Sequence, residues 1–401
     1  MSEIAARLAE LRRSGLHRRL RTIEGPQGPR VLLDGADVLL LCSNNYLGLA
    51  DHPRVRQAAA EAAERFGAGA GGSRLISGSM SLHRKLEGRL AEFKGSEAAL
   101  LFGSGYLANT GVVAALAGRD QVVFSDELNH ASIIDGCRLS RAETFVYRHC
   151  DLEHLEWGLR EAGERARLIV TDGVFSMDGD VAPLQDLAEL ARRHRCRLVV
   201  DDAHGVGALG PGGRGSVAAA GLGGQVVVVG TLGKALGSYG AYVCASAEIV
   251  ELLVNAARPF IYSTAPPPPS VGAALEALSL LCARPGLVEH LRRNAATLRE
   301  ALSAEGLAIG SSRSQIIPVI VGDARRASAL CERTLEGRVF AQAIRPPTVP
   351  QGSSRLRLTV MANHRDDDLR AAARVIGRAA AELGVGAGAQ SEAVRGLRRA
   401  A

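Results

Sequence analysis

Short apolar runs recur through the middle of the chain, at Ala98–Phe102, Gln121–Phe124, Thr144–Tyr147, Leu168–Thr171, Leu198–Val200, Val226–Val229 and Ala241–Cys244. Most are β-branched, most end in Gly, Ser, Thr or Asp, and helical stretches separate them. Runs apolar on both faces need cover on both faces, so the pattern predicts an α/β fold with a mainly parallel, helix-covered sheet. Upstream, Ile4, Leu8 and Leu11 mark a helix within residues 1–22. Val31–Cys42 reads as extended, with Asp34-Gly35 as a hairpin turn. A helix follows Pro53, and Leu82, Leu86, Leu90 and Phe93 form the apolar stripe of another. Pro266–Pro269 punctuates the chain before a long helix. Beyond about residue 285 the order is helix, strand (Gln315–Val321), helix, strand (Val339–Ile344), strand (Arg355–Val360), helix. The expected division is an N-terminal helix and extended segment (1–50), a large domain (51–284), a smaller C-terminal α+β domain (285–383) and a candidate disordered tail (384–401).

Composition narrows this picture. Apolar residues make up 47% of the 401 residues but aromatics only 4%, so the core must be built from Ala, Val and Leu. Net charge is +6, and the N-terminal arginines (Arg12, Arg13, Arg18, Arg19, Arg21) lack the interleaved aromatics of a nucleic-acid site. The seven cysteines include no C-x-x-C pair and no metal-ligand spacing, so they read as reduced thiols and no metal is expected. No apolar run approaches a membrane span, no signal-peptide core opens the chain, and Glu3 and Glu10 argue against a transit peptide. A cytoplasmic, disulfide-free protein is expected.

Lysine is rare: three against 45 arginines. Lys85 and Lys94 fall in one charged amphipathic stretch, Ser81–Gly95, whereas Lys234 sits in Thr231-Leu-Gly-Lys-Ala-Leu-Gly237, directly after an apolar run. A lysine in a poorly solvated site can lose its proton and attack a carbonyl, which an arginine cannot do. Upstream, Leu198-Val-Val-Asp-Asp-Ala-His204 ends another strand in acid and imidazole. An acid for a pyridinium nitrogen and a lysine for a Schiff base are what pyridoxal phosphate requires of a protein. Gly103-Ser-Gly-Tyr-Leu-Ala-Asn109 admits three readings: a phosphate-binding helix start, a G-x-G-x-x-A dinucleotide loop with Asp126 on a ribose, or a simple tight turn. His130 lies just past a strand end, and Ser176 lies in another strand-end loop without the flanking glycines of a nucleophile elbow. Arg345-Pro-Pro-Thr-Val-Pro350 is a rigid loop carrying one guanidinium, the natural partner of a carboxylate.

Taken together these residues resemble the α-oxoamine synthases, a fold-type I family of pyridoxal-phosphate-dependent transferases, from about residue 15 to 380. The resemblance is carried by Ser43-Asn-Asn-Tyr-Leu-Gly48, Gly71-Gly-Ser-Arg-Leu-Ile-Ser-Gly78, Ser104-Gly-Tyr106, His130-Ala-Ser132, Val174-Phe-Ser-Met-Asp-Gly179, Asp201-Asp-Ala-His204, Thr231-Leu-Gly-Lys234 and Tyr262-Ser-Thr264. Asn45 departs from an aspartate usual in the first motif, and Asp172 stands where some members carry glutamate. The resemblance implies that Lys234 carries the cofactor and removes the substrate proton, while Asp201 pairs with the pyridine nitrogen. It further implies that His130 stacks on the ring and faces substrate, with His204 and Ser176 near the phenolic oxygen. Gly105, Tyr106 and Thr231 would hold the phosphate, joined by Thr264 of a second subunit, so a homodimer with its site at the subunit interface is expected. Asn44 and Arg345 would orient the amino-acid carboxylate, Thr348 would contact substrate, and Arg19, found by counting back from Ser43, would meet the acyl group. Within the family, Ala343-Ile-Arg-Pro-Pro-Thr-Val-Pro350 and Ser354-Arg-Leu-Arg-Leu-Thr359 resemble the members that join L-alanine to a pimeloyl thioester, carried by CoA or a carrier protein, in biotin biosynthesis. A sibling synthase using glycine or serine, and an NAD-dependent oxidoreductase, are the alternatives.

Overall fold

The computed structural model describes residues 2–386, so the tail from 387 onward lies outside the described residues. The chain forms two compact units. The larger comprises Leu49–Ser176 and Val181–Val288; the smaller comprises the described residues up to Gly48, Met177–Asp180 and the described residues from Glu289 on.

In the smaller unit the first helix, Glu3–Arg13, is N-capped by Ser2. Three strands follow: β1 (Ile23–Glu24), β2 (Arg30–Leu33) and β3 (Ala36–Leu40). The turn between β2 and β3 falls at Asp34-Gly35 as expected. Both residues adopt positive φ (49° and 80°), the backbone that a two-residue hairpin needs.

The larger unit holds a seven-stranded sheet of β4 (Ala98–Phe102), β5 (Val122–Asp126), β6 (Glu143–Tyr147), β7 (Ala166–Asp172), β8 (Arg197–Asp201), β9 (Val227–Thr231) and β10 (Ala241–Ala245). Its order is β4-β10-β9-β8-β7-β5-β6, and only β10 runs antiparallel to its neighbours. Parallel pairing therefore gathers the carboxyl ends of the strands at one edge, where Asp172 is in register with Asp201. Beneath that edge the core is aliphatic, with Val112, Val113, Val123, Leu168, Val170, Val199 and Val229 packed together. Two of the few aromatics, Phe102 and Phe260, meet edge to face at 5.8 Å. Gly136 lets the helices Gly105–Leu116 and Ala131–Ser140 approach closely: a Cβ there would stand 3.1 Å from both the Asn109 carbonyl and Val113. That contact brings Asn109 beside Ser132.

From Glu289 on the smaller unit adds β11 (Ile316–Gly322), β12 (Val339–Phe340), β13 (Gln342–Ile344) and β14 (Ser354–Thr359). The single strand expected at Val339–Ile344 is two. β12 pairs in parallel with β3, and β13 pairs antiparallel with β14, so the chain changes sheets at Ala341. The N-terminal segment, expected to stand apart, thus shares a sheet with residues beyond 338. Among the described residues no single helix is long and apolar enough to cross a membrane.

Candidate active site

Asp201 closes β8 and is 6% exposed. Its Oδ2 accepts from Asn109 Nδ2 at 2.6 Å and its Oδ1 from the Ala203 N–H at 2.9 Å. Both donors are neutral, and a carboxylate offers about four lone-pair sites, so this buried anion retains capacity for a cationic partner. Three residues on, the buried His204 ring lies with Nε2 2.8 Å from Lys234 Nζ. Lys234 is carried by a turn that only glycine can close: Gly237 has φ +58°, and a Cβ on it would stand 2.4 Å from the Ala50 nitrogen.

His130 caps the helix Ala131–Ser140 with its own ring. Its backbone N–H donates to Asp172 Oδ2 at 2.7 Å, and its Nδ1 lies 2.7 Å from Ser132 Oγ. Burial pulls the imidazole below its ordinary pKa and outweighs the opposing Asp201 charge. The Asp172 carboxyl is pushed well above the usual carboxylate range, first by burial and then by the Asp201 charge beside it. Asp172 also donates its N–H to Asn129 Oδ1 at 2.9 Å, so the acid that positions His130 is itself held from the neighbouring loop.

The other expected residues of the larger unit are placed as follows. Gly105 and Tyr106 form the first turn of Gly105–Leu116, behind Ser104 as N-cap, where main-chain N–H groups lack intrahelical acceptors. A Cβ on Gly105 would meet nothing within 4 Å, so the space before this turn is open. The Tyr106 hydroxyl is bonded to Asp135. The Thr231 hydroxyl donates to the Gly240 carbonyl at 3.1 Å and accepts the Gly233 N–H at 3.1 Å, so it braces the Lys234 turn rather than offering a spare donor. Ser176 is half-buried in the loop after β7, and Thr264 is exposed and bridged to Ser73.

In the smaller unit Arg345 does not present an open fork. Its guanidinium donates to the Gly15 carbonyl and, at 3.4 Å, to that of His17. Thr348 is exposed at the same loop. Arg19 and Arg21 both pair with Glu332, at 3.1 and 2.5 Å, while Arg18 donates to the Pro346 carbonyl at 3.3 Å. The guanidinium that meets Asn44 is that of Arg357, which is 6% exposed and donates to Asn44 Oδ1 at 3.2 and 3.3 Å. Arg357 stands within the Ser354–Thr359 motif but had no role assigned to it from sequence. The available signal was its alternation with Arg355 in a strand whose six residues are all buried, since a buried arginine needs partners.

The dinucleotide reading of Gly103–Ala108 fails on topology and on Asp126. β4 lies at the sheet edge beside an antiparallel strand, where no βαβ crossover forms. Asp126 is 1% exposed and accepts from Leu128 N–H and Cys150 N–H, each at 2.9 Å, with His149 Nδ1 also at 2.9 Å. Asp126, His149 and Cys150 bring potential ligand atoms within 4.8 Å of one another, a cluster the sequence spacing did not suggest. With the Asp126 oxygens already committed to main-chain donors, the cluster reads as a loop anchor. A cleft of about 610 Å³ lined by Arg192, Arg197, Gln225 and Val227 opens at the amino ends of β8 and β9, away from the strand ends that carry Asp201 and Thr231.

The chain belongs to the aminotransferase class I and II family, whose profile matches residues 36–376. Over 386 residues it is 54% identical to the 8-amino-7-oxononanoate synthase of Geobacter sulfurreducens, covering 95% of this chain and 99% of that protein. Among solved structures, serine palmitoyltransferase from S. paucimobilis with a bound PLP–myriocin aldimine superposes with a TM-score of 0.91 at 34% identity, covering 96% of this chain and 98% of that one. The 8-amino-7-oxononanoate synthase of Francisella tularensis superposes with a TM-score of 0.74 at 29% identity, covering 85% and 97%. The mainly parallel, helix-covered sheet expected from the strand pattern and the fold-type I architecture implied by the resemblance are the ones found.

Proposed function

We propose that this protein condenses L-alanine with a pimeloyl thioester to give 8-amino-7-oxononanoate, CO2 and free thiol, the pyridoxal-phosphate-dependent step of biotin biosynthesis. The observation that carries the reading is the buried Asp201 and His204 beside the part-buried Lys234 in a chain 54% identical, nearly end to end, to such a synthase. Backbone likeness to serine palmitoyltransferase is compatible with this, because siblings share the fold; identity of 54% against 34% is what separates them.

The residues fit pyridoxal phosphate: a part-buried amine, a buried acid with only neutral donors, an imidazole at a strand end and an open helix N-terminus. Bound there, the cofactor supplies an electron sink for charge developing on the substrate carbon. Lys234 would hold it, and its amine would take the alanine Cα proton and return one after CO2 is lost. Asp201 would stay anionic and keep the pyridine nitrogen protonated. The N–H groups of Gly105 and Tyr106 would bind phosphate, with Thr231 shaping the Lys234 turn; His204 and Ser176 would sit near the phenolic oxygen, and His130 over the ring. Arg357 with Asn44 is assigned the amino-acid carboxylate in place of Arg345, whose fork is taken up by main-chain carbonyls.

A second copy of the chain would complete the site through Thr264. Support comes from the apolar side chains exposed around that bridge, Ile76 (83%), Tyr262 (71%) and Leu75 (50%), which water alone would leave at a cost. Cytoplasmic placement is supported by seven cysteines, none in a disulfide. The test is product identification from alanine, glycine and serine, each with pimeloyl-CoA. 8-Amino-7-oxononanoate from alanine alone is expected, and preferential use of glycine or serine would overturn the reading.

A further inference from the structure

We infer that Asn109 is a positioning residue which, through Ser132, holds His130 in the tautomer that carries its proton on Nε2. Asn109 sits within the helix Gly105–Leu116 and is 1% exposed. A buried amide is costly unless bonded, and its NH2 is used twice: to Asp201 Oδ2 at 2.6 Å and to Ser132 Oγ at 2.8 Å. An anionic carboxylate has no proton to give, so chemistry alone requires the NH2 edge to face Asp201. The same nitrogen faces Ser132, which makes Ser132 Oγ an acceptor on that side. Its hydroxyl proton is then available to His130 Nδ1, 2.7 Å away.

A second donor points to the same nitrogen. The Ser132 main-chain N–H reaches His130 Nδ1 at 3.2 Å, and a main-chain N–H can only donate. Nδ1 must therefore present its lone pair. Burial, which disfavours the imidazolium, leaves one proton for the ring, on Nε2. The direction of the relay is set by the charge on Asp201. Were that acid protonated, Asn109 could turn its carbonyl toward it and the hydroxyl of Ser132 would lose its reason to face the ring. Asn109 thus couples the charge of one active-site residue to the proton position of another, and the hydrogen-bonding character of His130 toward a bound molecule follows.

The inference rests on this pocket being the active site, but its test reads the ring rather than the product. In holoenzyme labelled with nitrogen-15 histidine, two-bond proton–nitrogen correlations distinguish the two tautomers, with His130 assigned through His130→Asn. Wild type should show only the Nε2–H pattern. Asn109→Ala should bring in the Nδ1–H form and lower kcat about 10- to 150-fold, because the bond it loses to the anionic Asp201 is charge-assisted. Ser132→Ala removes the hydroxyl itself, and since both variants keep the main-chain donor it should shift the pattern at least as far. A wild-type His130 protonated on Nδ1 overturns the inference, as does an unchanged pattern in whichever of the two variants folds. Failure to make 8-amino-7-oxononanoate, with the relay intact, would sink the proposed activity and leave the relay standing.

Discussion

Lys94 and Asp202 form an ion pair of 2.7 Å whose side chains are 2% and 0% exposed. Lys94 also donates to the Arg214 carbonyl at 2.6 Å, and Asp202 accepts both the N–H and the hydroxyl of Ser216, at 2.9 and 2.6 Å. A Cβ on Gly205 or Gly215 would strike the Asp202 carboxylate at 2.0 or 1.8 Å. Two of the three lysines thus have opposite uses: Lys94 spends its charge inside the fold, while Lys234 faces an imidazole beside a buried acid.

Removing one partner of such a pair leaves the other charge buried and uncompensated. Lys94→Ala is expected to cost about 3–5 kcal/mol of stability, read from urea denaturation. A change below about 1 kcal/mol would show that Asp202 is neutral or rehydrated in the variant.

Borohydride treatment of the holoenzyme should fix the cofactor to Lys234 and leave Lys94 unmodified, as mass spectrometry of peptides will show. Lys234→Ala should abolish turnover with an unchanged circular dichroism spectrum. Label on Lys85 or Lys94 would be fatal to the assignment.

Asp201→Asn should retain bound cofactor yet lose several powers of ten in kcat, because a neutral amide cannot hold a pyridine nitrogen protonated. Activity within tenfold of wild type would remove Asp201 from that role.

Arg357→Ala should raise the apparent constant for alanine about 10- to 150-fold, the worth of a lost charge-assisted pair, and leave the thioester constant nearly unchanged. Arg345→Ala should spare the alanine constant, since its guanidinium already serves the carbonyls of Gly15 and His17. The reverse result would return the carboxylate to Arg345.

His364 is buried, with Nδ1 accepting the Met361 N–H at 2.9 Å and Nε2 3.2 Å from the Leu40 carbonyl. Burial depresses its pKa from 6.5 to about 4. The unfolded chain therefore binds a proton that the folded chain refuses, and the stability this group confers is full above pH 6.5 and lost as pH falls toward 4. Wild type should lose about 1.5 kcal/mol more than His364→Asn between pH 6.5 and pH 5. Equal slopes in denaturant titrations at the two pH values would show that another group governs the acid limb.

The strands and their carboxyl-end residues were legible because a sheet covered on both faces leaves unbroken apolar runs, and Lys234 because lysine is so rare in this chain. The supporting residues were not. Asn109 and Asp172 act through partners that are remote in sequence and meet only when strands and helices pack, so no local pattern announces them. Arg357 hid in an alternation that reads equally well as a half-exposed strand, whereas all of β14 is buried. The break at Ala341 was invisible for a similar reason: pairing to two different sheets leaves no mark on an apolar run.

The parallel pairing of β3 with β12 imposes an order of events during synthesis. Leu40 leaves the ribosome about 300 residues before its partner Phe340, which at 5–20 residues per second is a wait of roughly 15–60 s. The strands of the larger unit, all between residues 98 and 245, can meet within that interval, while the first hairpin holds an unpaired edge. Such an edge is open to pairing with other chains. A nascent chain of this protein is therefore most exposed to mispairing, and most dependent on chaperones, at its oldest end.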